Sequence, residues 1–403
     1  MSKSSFFTSS GFRLGALASS HLVVDMFGSI LPGIVPAALA HFQIDLGMGI
    51  YVMTTIAVGC NLLQIPVARL DRTRRTPRLL ILGAFLAGMI MILGYLPRTT
   101  PTILLCLLML VVSTGVALVH PFGLRGVQNL NDISTTISTP SFMTGGFLGA
   151  SLGPLLAAVL VTHFGLRGLL WLAIPLAILL LALFAARIEL APDSGPATAT
   201  PGKPSQTGPV SPWGFAGLML IAIFINTGST IINQLMPTTL QTEHSFSPTF
   251  GGASLTLFGA GSAIGSMTIG YLAKRHPPKW FVIGGMLIGV PSTILYFLCM
   301  GHAWACVLVF FAGLTVSSGY PLLVALARNV NDGPALSTRL ALLVGGSWGI
   351  AGLIFLGIGQ LAHHCIGLKA AMHASWICYA LALLSAVLLL KRTKRTASSG
   401  QTE

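Results

Sequence analysis

The sequence predicts an all-α membrane protein: twelve transmembrane helices in two pseudo-symmetric six-helix bundles. Three observations predict it. Of 403 residues only 22 are Lys or Arg and 9 are Asp or Glu, while 54% are hydrophobic. Soluble proteins average about 25% charged residues, so this chain lacks the charge to coat a water-facing surface of its size. A soluble enzyme, a secreted disulfide scaffold and a disordered chain are thereby excluded. The apolar residues also fall into twelve runs, most of at least twenty residues, the length that crosses a bilayer. The second half of the chain, finally, repeats features of the first.

The runs cover 14–40, 48–69, 77–97, 102–125, 138–162 and 167–187, then 213–240, 250–272, 279–300, 303–327, 338–362 and 369–391. The first follows Lys3 and Arg13 and carries no small-residue cleavage site, so it reads as a membrane helix and not a removable signal peptide. Between the sixth and seventh runs, residues 192–212 contain Pro192, Pro196, Pro201, Pro204, Pro209 and Pro212 with Gly, Ser and Thr among them. Such a stretch has little apolar area to bury and reads as a flexible linker. The expected organisation is an N-terminal bundle at 1–191, a cytoplasmic linker at 192–212 and a C-terminal bundle at 213–403.

Loop charge sets the orientation. With both termini cytoplasmic, nineteen of the 22 Lys and Arg fall on inner loops and ends, and Arg98, Arg167 and Lys369 fall outside. That asymmetry is the positive-inside pattern, and the cell inner membrane is the expected location. The net charge of +13 is therefore topological. It forms no aromatic-interleaved basic stripe, and nucleic acid is not an expected partner. The six cysteines form no CxxC pair and read as packing thiols.

The repeat is visible at an offset of 200 residues. Pro121 aligns with Pro321; Asn129, Asn131 and Asp132 with Asn329, Asn331 and Asp332; Gly145, Gly146 and Gly149 with Gly345, Gly346 and Gly349; and His163 with His363. An ungapped Asn-x-Asn-Asp match is not a composition effect. It implies parallel bundles related by an axis along the membrane normal.

Motifs follow from these positions. The loop after the second helix reads Asp71-Arg72-Thr73-Arg74-Arg75, and the matching loop after the eighth reads Gly270-Tyr271-Leu272-Ala273-Lys274-Arg275. A carboxylate at a helix end can cap a neighbouring helix and pair with arginines, so Asp71, Arg72, Arg75, Gly270 and Arg275 are candidates for a conformational latch. The alternative is a basic turn that only sets topology. The fifth helix carries Gly149-x-x-x-Gly153-Pro154, small residues that let helices approach closely, with a proline that bends the helix. Six-plus-six repeats with a long linker and the Asp-Arg loop resemble the major facilitator superfamily, and Gly149, Gly153 and Pro154 resemble the helix-5 motif of its drug/proton antiporters. His21 through Asp25-Met26, Val119-His120-Pro121 followed by Arg125, and Gly145 through Val159 are similar to the fosmidomycin-resistance efflux family. The likeness is strongest over 15–165 and departs from that family at Phe122, Val24 and Phe147. The resemblance implies a proton-driven exporter, monomeric by analogy.

Only one acidic residue, Asp25, lies deep in a predicted span. A charged Asp at the bilayer centre costs about 3 kcal/mol on insertion scales, so it should face the bundle interior. His21 lies one turn earlier on the same face. The pair is a candidate proton-coupling site, since carboxylate and imidazole can exchange protons near neutral pH; the alternative is a buried pair that holds helices together. His120, Arg125, Asn226, Asn233, Gln234 and Tyr320 are candidate substrate-binding residues. Pro121 opens backbone beside His120, whose repeat partner is Tyr320, and the amides suit a polar cavity. The alternative readings are His120 in a helix-to-helix hydrogen bond, Arg125 as a partner of Asp71, and some of the amides as interhelical contacts.

The remaining histidines lack metal spacing apart from the adjacent His363-His364, and no metal or cofactor is expected. No catalytic grouping or Walker sequence is present, so no enzyme activity is expected. The expected function is secondary transport by alternating access, with a proton, a small molecule and the lipid bilayer as partners. The favoured form is proton-coupled efflux (antiport) of a drug-like or small anionic metabolite. The alternatives are uptake of an organic anion by symport or uniport, and a non-transporting receptor or scaffold on the same fold.

Overall fold

The computed structural model describes residues 6–67, 70, 75–130, 132–133, 135–191, 214–273, 275–327, 330 and 336–390. Asp71 and Arg72 of the expected latch, the 192–212 linker, and Asn131, Asn329, Asn331 and Asp332 of the repeat lie outside them. Every regular element among the described residues is helical.

The N-terminal half holds six helices. They are α1 (Ser10–Phe42), α2 (Leu46–Val67), α3 (Arg78–Tyr95), α4 (Thr102–Gln128), α5 (Thr135–Phe164) and α6 (Leu166–Ala186). Local chemistry fixes several ends. Ser9 accepts from the Phe12 amide at 3.3 Å, and Asp45 accepts from the Met48 amide at 2.8 Å. These side chains satisfy donors that a helix N-terminus leaves unpaired. Within α1 the regular helix breaks between Gly28 and Leu31. Pro32 cannot donate to the carbonyl of Gly28, which accounts for the break.

The C-terminal half contains α7 (Gly214–His244), α8 (Pro248–Leu272), α9 (Pro278–Cys299) and α10 (Ala303–Leu326). A last apolar stretch, Thr338–Leu390, runs for 53 residues. As one rod it would be about 80 Å long, more than twice the ~30 Å hydrocarbon thickness. It is two spans. Gly367, at φ 76°, breaks the regular helix. We label Ser347–Leu361 with its flanking π turns, Leu342–Gly346 and Ala362–Ile366, as α11. Gly367–Leu390 is α12. The expected twelve helices are thus recovered from eleven continuous apolar stretches.

Buried apolar side chains gather into two cores. One is built from residues between Ala16 and Leu190, and the second mainly from residues between Phe215 and Leu390, joined by Val35, Ile50 and Met53 from the first half. Outward-facing side chains such as Leu181, Phe184, Leu298 and Leu388 remain exposed, as a surface bathed in acyl chains permits.

The glycines of α5 set how close it comes to α1. A Cβ at Gly145, Gly149 or Gly153 would run into the α1 backbone at Ala18, Leu22 and Met26 respectively. This four-residue period gives the helix-5 motif a concrete packing role. Pro154 lies where a Cβ on Gly33 of α1 or Gly252 of α8 would collide with it, so the same turn of α5 also reaches the other bundle.

Between the halves, Thr256 donates to the Ser151 carbonyl at 2.6 Å and Gln360 donates to the Gly47 carbonyl at 2.9 Å. His363 Nε2 stands 3.8 Å from Asp45 Oδ2 beside the second of these contacts. Gly149→Val is expected to lower the melting temperature of detergent-purified protein by several degrees, because overpacking a tight contact costs about 1–3 kcal/mol. Gly357→Val, placed where a Cβ meets open space, is expected to leave it unchanged; thermal unfolding followed by intrinsic fluorescence checks both.

Candidate functional site

Asp25 occupies the middle of α1, and two histidines close on it, one at each carboxylate oxygen. His21 Nε2 is 3.2 Å from Asp25 Oδ2, and His120 Nε2 is 3.3 Å from Asp25 Oδ1. The first contact follows from the one-turn spacing on α1. The second crosses from α4 and is set by tertiary packing. The two imidazoles meet edge to face with centroids 4.7 Å apart, and His21 stacks on Phe142 of α5 at 4.3 Å. His21 is 2% exposed, while Asp25 and His120 keep 19% and 24%, so the site is sealed on one flank and accessible on the other.

The remaining ring nitrogens decide where hydrogens sit. His21 Nδ1 lies 2.8 Å from the Phe142 carbonyl, and His120 Nδ1 lies 2.8 Å from the Val116 carbonyl. A carbonyl oxygen only accepts, so both Nδ1 atoms donate. Each neutral ring then presents a bare lone pair at Nε2, and each lone pair faces a carboxylate oxygen. With Asp25 ionised and both rings neutral, two repulsive contacts result. One added proton turns one of them into a hydrogen bond, and a second turns both. Formal charge passes from −1 through 0 to +1 as these protons arrive. The geometry is that of a cluster which is fully hydrogen-bonded only when loaded with protons.

The three donor atoms also lie within 4.8 Å of one another, close enough in distance for one cation. The rings, however, address opposite oxygens of the carboxylate, an arrangement suited to two hydrogen bonds. Gly146 completes the site. A Cβ there would stand 2.5 Å from His21 Nε2 and 2.7 Å from Asp25 Oδ2.

His120, expected on the substrate path, is thus brought to the same carboxylate as His21. Arg125 is not part of this cluster. Its Nε donates to the Ala191 carbonyl at 2.8 Å, and the Ala191 amide donates back to the Arg125 carbonyl at 3.1 Å. Its guanidinium also lies 5.4 Å from the Phe122 ring centroid. The Leu190 amide bonds the Arg75 carbonyl at 2.9 Å, so both arginines anchor the segment that leaves α6. Gly270 lies at the exposed end of α8, where a Cβ would meet open space, and Arg275 follows just beyond it. No contact among the described residues joins Arg75, Gly270 and Arg275.

The C-terminal candidates form a second node. Asn226 of α7 is fully buried and donates from Nδ2 to Ser347 Oγ at 2.7 Å. Ser347 donates its own hydrogen to the Leu343 carbonyl, which also accepts from the Tyr320 hydroxyl at 3.1 Å. Because the hydroxyl of Ser347 is spent on Leu343, the Asn226 amide is oriented with Oδ1 away from it, and that oxygen meets no hydrogen-bond partner among the described residues. The same holds for Gln234 Oε1 further along α7. Asn233 is half-buried beside it. Ser347 and Gly346 are the repeat counterparts of Phe147 and Gly146, and Tyr320 is that of His120, so the node mirrors the Asp25 cluster without its charge.

The sequence matches the Major Facilitator Superfamily over residues 17–217 and again over 218–403. The chain belongs to that superfamily. It is therefore a multi-pass membrane transporter protein, from a family that moves small molecules across the bilayer, and not an enzyme. It is 26% identical over 359 residues to the fosmidomycin resistance protein of Escherichia coli (strain K12), covering 87% of this chain and 86% of that one. The fold is similar to a bacterial homologue of the human lysosomal transporter Spinster in an inward-facing, unoccupied conformation, with a TM-score of 0.71, 17% identity and coverage of 96% and 99%. It is also similar to a POT family transporter in complex with a thioalcohol-conjugated peptide, with a TM-score of 0.70, 14% identity and coverage of 92% and 94%.

Sequence reasoning found His21 with Asp25 but missed Phe142, Val116 and Gly146 as the atoms that orient them. Only Gly146 left a signal, as a member of the repeated Gly-Gly pair. Nitrogen-15 spectra of histidine-labelled protein are expected to show both His21 and His120 as the Nδ1–H tautomer when neutral, assigned with the His21→Gln and His120→Gln variants. Gly146→Ala is expected to perturb both signals.

Proposed function

We propose that this protein is a proton-coupled exporter that works as an antiporter, with Asp25, His21 and His120 as its proton-binding cluster. The observation that carries the reading is the pair of Nε2 lone pairs aimed at one carboxylate, both fixed by Nδ1 bonds to the backbone. An unloaded cluster is repulsive and favours separation of α4 from α1 or entry of water. With one proton bound the cluster is net neutral and gains its first hydrogen bond, so it can be enclosed at lower dielectric cost than the unloaded anion. Proton occupancy thereby biases which arrangement of the N-terminal bundle is stable, which is what coupling requires.

The two bundles, 1–191 and 213–403 joined by the 192–212 linker, are proposed as the units that rock about the site. The described cross-bundle bonds at Ser151–Thr256 and Gly47–Gln360 would part when that side opens. Asn226, Gln234 and Tyr320, with Asn233 beside them, are proposed to meet the substrate by hydrogen bonding. The unpaired acceptors of Asn226 and Gln234 favour a substrate bearing N–H or O–H donors. Arg125 and Arg75 have a structural part here, as anchors of the Leu190–Ala191 segment. Export is supported by the name of the resistance protein that the chain resembles over most of both lengths. The proposed setting is a bacterial inner membrane with both termini cytoplasmic, and the proposed state is monomeric.

Proteoliposomes with an internal pH dye test this. A gradient of a transported compound, fosmidomycin being the first probe, is expected to drive protons in the opposite direction. Asp25→Asn is expected to abolish that proton movement, and Asn226→Ala to weaken substrate uptake. Proton movement with the substrate would indicate symport, and transport with no proton movement in wild type would refute the coupling.

A further inference from the structure

The ends of α3 and α5 and the start of α6 meet on the membrane face opposite the start of α1. There they enclose a groove of about 460 Å³. Its walls include Tyr95, Phe164, Arg167, Trp171 and Ile174. Gly94 and Gly168 make the meeting possible: a Cβ on the first would strike the Leu166 carbonyl, and one on the second would strike the Leu160 carbonyl. Arg167 lies with its guanidinium 5.9 Å from the Tyr95 ring centroid, and among the described residues it has no carboxylate partner. Phe164 and Trp171 pack ring against ring at 6.1 Å, and both are more than half exposed.

Below the groove, Leu170, Ile174, Ile178, Leu181 and Phe184 form one exposed apolar stripe along α6. Over fourteen residues this stripe extends about 21 Å towards the opposite face. A cation at the mouth, aromatic rings at interfacial depth and an unbroken apolar track beneath match an amphiphile with an anionic head and a long hydrocarbon tail. We propose that the groove is a binding site for an anionic phospholipid, with the headgroup phosphate on Arg167 and an acyl chain along the α6 stripe. Guanidinium suits phosphate through its forked donors, and the rings flanking it are apolar enough to accept the glycerol and upper chain. The site is remote in sequence and position from the Asp25 cluster and stands independently of the proton-coupling reading.

Native mass spectrometry of the full chain, released from nanodiscs of equal phosphatidylglycerol and phosphatidylcholine with matched chains, tests this. Wild type is expected to retain phosphatidylglycerol over phosphatidylcholine by about fivefold, the worth of one cation at an anionic surface. Arg167→Gln is expected to abolish the preference, Trp171→Ala to shorten retention of both lipids, and Arg98→Gln to change nothing. Circular dichroism confirms that each variant is folded. Equal retention of the two lipids by wild type overturns the proposal, as does a preference that survives Arg167→Gln or is lost equally in Arg98→Gln. Displacement of the lipid by soluble glycerol phosphate would assign the site to free phosphate and overturn the lipid reading too.

Discussion

Two imidazole lone pairs converge on one carboxylate inside a membrane, and the local structure is arranged around that fact. Each ring is denied the other tautomer because its Nδ1 is held by a backbone carbonyl, Phe142 for His21 and Val116 for His120. Remove those carbonyls and either ring could turn a donor to Asp25 without any added proton. With them in place, the contacts at 3.2 and 3.3 Å are attractive only when protons are bound. The close approach of α5 to α1, made by Gly145, Gly149 and Gly153, delivers the Phe142 carbonyl to His21. Gly146 leaves the volume that the imidazole and carboxylate occupy.

The same scaffold is used twice with different chemistry. In the first half α1 supplies Asp25 and His21, α4 supplies His120 and α5 the Phe142 carbonyl; in the second, α7, α10 and α11 supply Asn226, Tyr320 and Ser347. An amide replaces the acid and a phenol replaces an imidazole, so the second node makes hydrogen bonds but carries no charge to exchange at ordinary pH. On the proposed account this divides the labour, with proton occupancy sensed by one bundle and substrate polarity by the other. The π turn at Leu342–Gly346 disturbs regular helix bonding next to that second node, a feature often found where helices serve function.

Much of the architecture was legible because the bilayer forces it. Backbone groups in hydrocarbon must be satisfied within a helix, so apolar runs of about twenty residues can be read directly as spans. The seam between α11 and α12 was legible from His363, His364 and Lys369 between two apolar runs, although the backbone stays helical up to Gly367. The Asp25–His21 pair was legible because helical spacing places residues four apart on one face. The approach of His120, 95 residues from Asp25, obeys no spacing rule and depends on how α4 lies against α1. Arg125 shows the converse. Its position near the end of α4 suits Asp71, which lies outside the described residues, or an anion, and the described bond to the Ala191 backbone is one no side-chain pattern announces.

On the proposed mechanism the cluster holds protons which substrate binding redistributes. Counting them is the most direct test: a weakly buffered, detergent-solubilised sample with a pH indicator, to which saturating substrate is added. Wild type is expected to release protons on substrate binding, to an extent that varies with starting pH, and Asp25→Asn that still binds substrate is expected to release none. An unchanged proton count in that variant, or no proton exchange in wild type at any pH where substrate binds, would contradict it.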